Sequence, residues 1–255
     1  MVLCRHRNRM PRLELPLNRN MDFITGEILR IDKPLGWTSF DAVKRIRGAL
    51  LRRMKMKKLK VGHAGTLDPL ATGVMIIVTG KATKLIEQLQ SGVKEYVATI
   101  ALGATTPSFD LETEIDARYP TDHITPTLVE KALEGFKGRI EQIPPKFSAV
   151  KIDGKRAYEL ARKGKEPELK PKILVIDEIE LLEYSPESIT IRVVCSKGTD
   201  IRALARDIGK ALDTGAHLTA LRRMRVGDTD LSRCMTVEEA VKLIKEAEIT
   251  IPEET

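Results

Sequence analysis

Cysteine is scarce in this chain. Cys4, Cys195 and Cys234 are widely separated among 255 residues and cannot all pair, so no disulfide framework organises the fold. Neither a CxxC nor an HxxxH spacing occurs among three cysteines and four histidines, which removes the usual zinc patterns and leaves no metal to expect. No apolar run approaches the length of a membrane span. Such a chain reads as a reduced, soluble, cytoplasmic protein. At 42% hydrophobic it buries a sizeable core without a staple.

Several catalytic signatures are missing as well. Gly80-Lys81 hints at a phosphate loop, but no glycine stands five positions earlier and Ala82 replaces the required Ser or Thr. No Ser, His and Asp stand in a recognised hydrolase order. No paired acidic motif offers the two carboxylates that a glycoside or nucleoside hydrolase normally sets across the scissile bond.

Negative charge is absent where positive charge is densest. Between Lys44 and Lys60 lie nine cations and no acid, and residues 1–20 carry five Arg against one Glu. Together the two stretches hold +13 in a chain of net charge +7, so the remainder is acidic on balance. A concentrated patch of this kind is the footprint of a phosphate-backbone partner. An anionic membrane would attract it too, but Phe40, Val43, Ile46, Leu50 and Met54 form a core-facing stripe without the broad aromatic face of an interfacial helix. Residues 1–20 lack periodicity and read as a basic disordered arm, or as the product of an upstream start codon; a transit peptide is disfavoured by the absence of Ser.

From Met21 onward, strand and helix signals alternate irregularly. Strands are predicted at 26–31, 73–78, 96–102, 173–182, 189–195 and 217–226, and helices at 39–54, 81–89, 126–136, 156–163, 201–212 and 237–247. Thr236 with Glu239 forms a capping box, Thr125-Pro126 supplies a cap and an N1 proline, and Asp200 is a good N-cap. The short polar link between the strands at 173–182 and 189–195 favours an antiparallel pair and disfavours a doubly wound parallel sheet. Pro and Lys enrichment over 142–172 marks an excursion from the sheet.

The most informative segment is residues 62–73, Gly-His-Ala-Gly-Thr-Leu-Asp-Pro-Leu-Ala-Thr-Gly, followed by the apolar run Val74 to Val78. An Asp before Pro most often opens a turn. This one sits in a Gly- and Pro-punctuated loop that feeds a buried strand, where a lone carboxylate is a candidate nucleophile.

The whole string resembles the catalytic loop of the TruB family of tRNA pseudouridine synthases. The likeness continues through Ile31-Asp32-Lys33-Pro34-Leu35-Gly36-Trp37-Thr38-Ser39, Lys94-Glu95-Tyr96, and the thumb-like Pro144 to Lys151 with Gly154-Lys155-Arg156-Ala157-Tyr158. It resumes at Cys195 to Arg202 and at Leu218-Thr219-Ala220-Leu221-Arg222-Arg223, in the family's order.

The resemblance implies an α+β pseudouridine synthase fold: a mixed, largely antiparallel sheet with a central cleft, flanking helices and a thumb insertion at about 142–172. The implied division is a basic arm at 1–20, a catalytic domain at 21–235, and a C-terminal helix and tail at 236–255. Bacterial members usually add a C-terminal RNA-binding PUA domain, and the 37 residues after Leu218 are too few for one.

By the same resemblance, the chain isomerises the uridine at position 55 in the T arm of tRNA by base flipping, with Asp68 as nucleophile. It implies Arg202 as the cation that keeps Asp68 ionised, Tyr96 stacked on the flipped uracil, His63 filling the vacated space in the RNA, and Leu218 as pocket wall. Asp200 stands where the family commonly has Tyr, and is placed to compete for Arg202. Lys33 holds its loop. The reaction changes no redox state and consumes no energy source, so no cofactor is expected, and tRNA is the partner of a monomer that needs no second protein. Grip on the RNA is expected from the basic stretch, the thumb and Arg222, Arg223 and Arg225. Whether the carboxylate acts on C1′, on C6 or on a C2′ proton stays open. The rival reading is a non-catalytic RNA-binding or folding factor, which needs the same basic surface but not Asp68.

Overall fold

The strand Lys94–Leu102 buries every second side chain, including Tyr96, Ala98, Ile100 and Leu102, and so presents one apolar face to a helix layer. Around it the chain builds one mixed sheet. The computed structural model describes residues 20–145 and 170–250, with the backbone at 151–152 and 155–156. Strand β1 (Ile28–Lys33) leads to helix α1 (Ser39–Arg53), β2 (Val61–Ala64), β3 (Ala71–Thr79) and α2 (Ile86–Ser91). Next come β4 (Lys94–Leu102), the short β5 (Ala104–Thr105) and β6 (Ala117–Arg118), α3 (Pro126–Glu134) and β7 (Gly138–Gln142). After β8 (Lys151–Ile152) and β9 (Lys155–Arg156) follow the hairpin β10 (Lys172–Ser185) and β11 (Ser188–Cys195), and then α4 (Ile201–Ala211). The chain closes through β12 (Ala216–Val226), β13 (Thr229–Asp230), β14 (Met235–Thr236) and α5 (Val237–Glu246).

The main sheet runs β14-β1-β3-β12-β4-β11-β10-β7, with β2 added to β3 and β13 to β12. Among the named strands of this sheet, β1/β14 and β3/β12 pair in parallel and the rest antiparallel; β10 and β11 form the antiparallel pair that their short link requires. At the β3/β12 seam Gly73 lies opposite Arg223 with φ of 102°, and a Cβ there would stand 2.2 Å from the Arg223 carbonyl oxygen. Only glycine lets the two backbones come this close.

One core layer lies between β4, β11 and β12 on one side and α4 with α3 on the other, around Ile100, Ile191 and Leu204. A second lies under α1 and α5, where Ile46 and Leu50 meet Ile31, Ile77 and Ile244. Helix α5 is thus part of the sheet's helical cover. Its capping box is present, Thr236 Oγ1 accepting from Glu239 N at 3.1 Å while Glu239 Oε2 accepts from Thr236 N at 2.9 Å. Among the described residues, no helix is long and apolar enough to cross a membrane.

Four expectations need correction. Phe40 is 68% exposed: Val43, Ile46, Leu50 and Met54 of the expected stripe are buried, and Ser39 and Ala42 take the place of Phe40 at its start. His63 lies on strand β2, opposite Ile77 of β3, not in a loop. The predicted helix at 81–89 begins as a 3-10 turn, Gly80–Leu85, because Thr79 gives no side-chain cap and Thr83 Oγ1 instead donates back to Gly80 O. Arg223 is 1% exposed and is not part of an RNA-gripping surface. The predicted helix at 156–163 and most of the thumb segment lie outside the described residues.

Candidate active site

The Asp68 loop is pinned from two sides before it enters β3. On one side, Ser39 at the start of α1 uses its hydroxyl twice: it accepts from Leu67 N at 2.8 Å and donates to Leu67 O at 2.9 Å. Gly36 N donates to Pro69 O at 2.8 Å from the same segment. Lys33, wholly buried, holds that segment by donating to Pro34 O and Trp37 O at 2.9 and 2.5 Å. Burial pulls its pKa down to about 8.

On the other side, Arg223 of β12 reaches under the loop. Its guanidinium donates to Gly65 O at 3.1 Å, Thr66 O at 3.3 Å and Val74 O at 2.7 Å, and it lies against the Tyr96 hydroxyl. Three of its bonds go to main-chain carbonyls on either side of the loop, so this arginine acts as a brace. Within the loop, Ala71 N donates to Asp68 O at 3.1 Å, closing the turn that Asp-Pro favours.

Asp68 opens onto a cavity of about 440 Å³, a size typical of small-molecule sites, shared with Tyr96, Lys94, Lys197, Arg202 and Arg223. A narrow extension is walled by Leu218, Leu70, Asp110 and Arg202. Arg202, in the first turn of α4 and 6% exposed, sends Nε to Asp68 Oδ2 at 3.2 Å. Its Nη2 meets Asp200 Oδ2 at 3.2 Å and its Nη1 faces Asp110 Oδ2 at 3.8 Å. Asp200 also caps α4, accepting from Arg202 N and Ala203 N at 3.0 and 3.1 Å. It therefore both caps and competes.

Three carboxylates thus share one guanidinium. Burial raises the Asp68 pKa above the ordinary 3.8; Arg202 opposes the shift, while Asp200 and Asp110 reinforce it. Burial also works against charge on Arg202, but Asp200, Asp68 and Asp110 outweigh it and hold the guanidinium protonated. With the cation fixed, the tunable proton belongs to Asp68. Burial likewise raises the Tyr96 pKa, keeping a neutral phenol in the wall.

The fold therefore brings Asp68, Arg202 and Tyr96 to one cavity, with Leu218 in the wall of the smaller pocket that shares Asp68 and Arg202, and His63 is in the wall of neither. Half-buried on β2, His63 precedes Gly65 and Thr66, which are in the wall. Arg222 pairs with Asp32 at 2.8 Å, and Arg225 with Glu95 at 3.3 Å. Three residues escaped the sequence reading: Ser39, Asp110 and the brace Arg223. Arg223 stands two residues after the partly buried Leu221, but a run of two arginines reads as surface, and its buried neighbour Tyr96 lies across on β4. Asp110, 3% exposed in the loop between β5 and β6, belongs to no motif.

Similarity to known proteins bears on the family and the fold. The family model described as "TruB family pseudouridylate synthase (N terminal domain)" matches residues 52–201, and "tRNA pseudouridylate synthase B C-terminal domain" matches 202–252. The chain is 66% identical over 231 residues to tRNA pseudouridine synthase B of Bacteroides fragilis, covering 91% of this chain and 99% of that one. To the protein of the same name in Flavobacterium johnsoniae it is 50% identical over 217 residues, covering 85% and 95%. Among solved structures, a Cbf5-Nop10-Gar1 complex aligns with a TM-score of 0.63 at 29% identity, over 86% of this chain and 54% of that chain. An H/ACA RNP bound to a substrate RNA containing 2'-deoxyuridine shares the fold, with a TM-score of 0.62 at 24% identity over 88% of this chain and 59% of that one. With two adjoining family models spanning 52–252 and relatives matched over nearly their whole length, this chain belongs to the TruB family of pseudouridylate synthases.

Proposed function

We propose that the protein isomerises uridine to pseudouridine in tRNA, at position 55 of the T arm, with Asp68 as the nucleophile. The observation that carries this reading is a single carboxylate, set on a braced loop, facing a cavity and held 3.2 Å from a buried guanidinium.

The chemistry asks for little more. The bond from ribose C1′ to N1 breaks, the uracil turns, and a bond from C1′ to C5 forms while C5 gives up a proton and N1 gains one. Nothing is oxidised and no group is lost. What the protein supplies is a charged oxygen at the ribose or the ring, and a pocket that retains the base between the two steps. In this reading Arg202 keeps Asp68 ionised against the pull of burial, Tyr96 stacks on the base, and Leu218 limits its travel. His63, outside the cavity wall, is the residue that enters the RNA where the base has left. A loop uridine is the least expensive base to extrude, which suits a T-arm target.

Lys94 and Lys197 in the cavity wall and the cations from Lys44 to Lys60 supply the attraction for phosphates. Residues 21–235 form the catalytic unit, with 142–172 as its thumb, and the enzyme works as a monomer without a protein partner. The test is tritium release from a T-arm transcript carrying C5-labelled uridine. Wild type releases label, and Asp68→Asn falls by at least about a thousandfold while still binding the RNA. No release from wild type would end the proposal.

A further inference from the structure

A second recess lies beside the cavity, on the outer face of α1. It is a wide, open concavity of about 500 Å³ lined by Trp37, Lys44, Arg45, Gly48 and Arg52. Asp41 also borders it, but its carboxylate is turned to the helix start, where Oδ2 accepts from Thr38 N at 2.9 Å and from Thr38 Oγ1 at 2.6 Å. Among the described residues, Lys44, Arg45 and Arg52 make no ion pair with a carboxylate, in contrast to Arg192, Arg222 and Arg225.

Gly48 is the second observation. It stands inside a 15-residue helix, where glycine is a poor choice, and a Cβ there would meet only the Arg52 guanidinium, at an ordinary 3.6 Å. Among the described residues, nothing requires a glycine at this point. Its effect is outward: it leaves the floor of the recess bare between three cations, open to close approach by a ligand. Phe40, four residues before Lys44 on the same helix face, is 68% exposed, and Leu35 is 65% exposed. An exposed aromatic beside cations is a surface on which a base stacks. The recess also adjoins the active site, since Gly36 lines it and bonds to Pro69, the residue after Asp68.

From these features we infer that the recess on α1 holds the sugar–phosphate backbone of the substrate RNA close to the nucleotide that is extruded toward Asp68. Lys44, Arg45 and Arg52 take the phosphates, and Gly48 gives the strand its depth. The inference rests on the tRNA reading above and adds to it a particular surface.

Three proteins test it beside wild type, by affinity for a T-arm stem-loop at several salt concentrations and by single-turnover pseudouridine formation. Gly48→Leu changes no charge and favours the helix; it is expected to melt no lower than wild type, to bind RNA about tenfold more weakly, and to react at the wild-type rate when saturated. Replacing Lys44, Arg45 and Arg52 with Gln is expected to flatten the slope of log affinity against log salt by about two. A control with Lys131, Lys210 and Lys242 replaced by Gln removes equal charge elsewhere and is expected to keep close to the wild-type slope. Phosphate ethylation of the RNA locates the contact, at one or two phosphates whose modification weakens wild type but not Gly48→Leu. The inference is overturned if Gly48→Leu binds as wild type does, if the two triple variants behave alike, or if no such phosphate is found. In those outcomes wild type still forms pseudouridine; failure of the tRNA reading is a different result, an inactive wild type.

Discussion

Asp68 is useful because its charge is contested. Burial and the neighbouring Asp200 and Asp110 push its pKa up, and Arg202 pulls it down. In the proposed role Asp68 must be ionised, so the acid limb of the pH–rate profile is expected above the ordinary Asp value of 3.8, with activity falling as pH drops through it. Asp200→Asn keeps a capping oxygen on α4 but removes one competing charge, and should move that limb to lower pH. An unmoved limb would mean that Asp200 is only a cap. The sign for stability is opposite. A carboxyl whose folded pKa is raised binds a proton more readily folded than unfolded, so its contribution declines as pH rises from 3.8 through the raised value. Asp68→Asn is therefore expected to melt no lower than wild type at pH 7, since Arg202 retains Asp200 and Asp110. Arg223 behaves differently. Arg223→Met strands three carbonyls now bonded by its guanidinium, and should cost about 3 kcal/mol or more in urea unfolding; Arg223→Lys should recover only part, lacking the fork.

At the scale of elements, the site depends on how loops are tied to neighbouring strands and helices. The loop bearing Asp68 is fastened to α1 through Ser39, to the preceding segment through Gly36, and to β12 through Arg223. Helix α4 projects Arg202 because Asp200 caps its first turn. Helix α5 supports this arrangement indirectly by packing on β1 and α1 in the second core layer. Thr236→Ala removes one half of its capping box and should lower unfolding free energy by about 1 kcal/mol, with single-turnover rate unchanged. A loss of rate at full folding would show that α5 bears on the site directly. Local signals at these element ends were legible in sequence: the caps at Thr125, Asp200 and Thr236 are each present. Strand β2 was not legible, because four residues ending in a glycine-rich loop carry too little alternation to stand out.

Across the whole molecule, charge is the feature that reaches furthest. Nine cations without an acid between Lys44 and Lys60 set up a field that a surface of alternating signs would cancel. Affinity for tRNA should accordingly fall by at least about a hundredfold between 50 and 200 mM salt, measured by filter binding or fluorescence anisotropy. A flat response would remove the electrostatic part of the account.

By itself, the sequence determined what depends on neighbours along the chain: the apolar alternation of β4, the antiparallel link of β10 and β11, the helix caps, and the loop that isolates Asp68 before Pro69. Tertiary structure alone decided which charges lie inside. Arg222 and Arg223 are adjacent in sequence, yet alternation in β12 sends one to Asp32 at the surface and the other beneath the Asp68 loop, where β3 runs alongside. Asp110 likewise comes to Arg202 from a loop some ninety residues away in sequence. Burial is a property of what packs across from a residue, and that partner is set by the register of the sheet rather than by the residue's own neighbours in the chain.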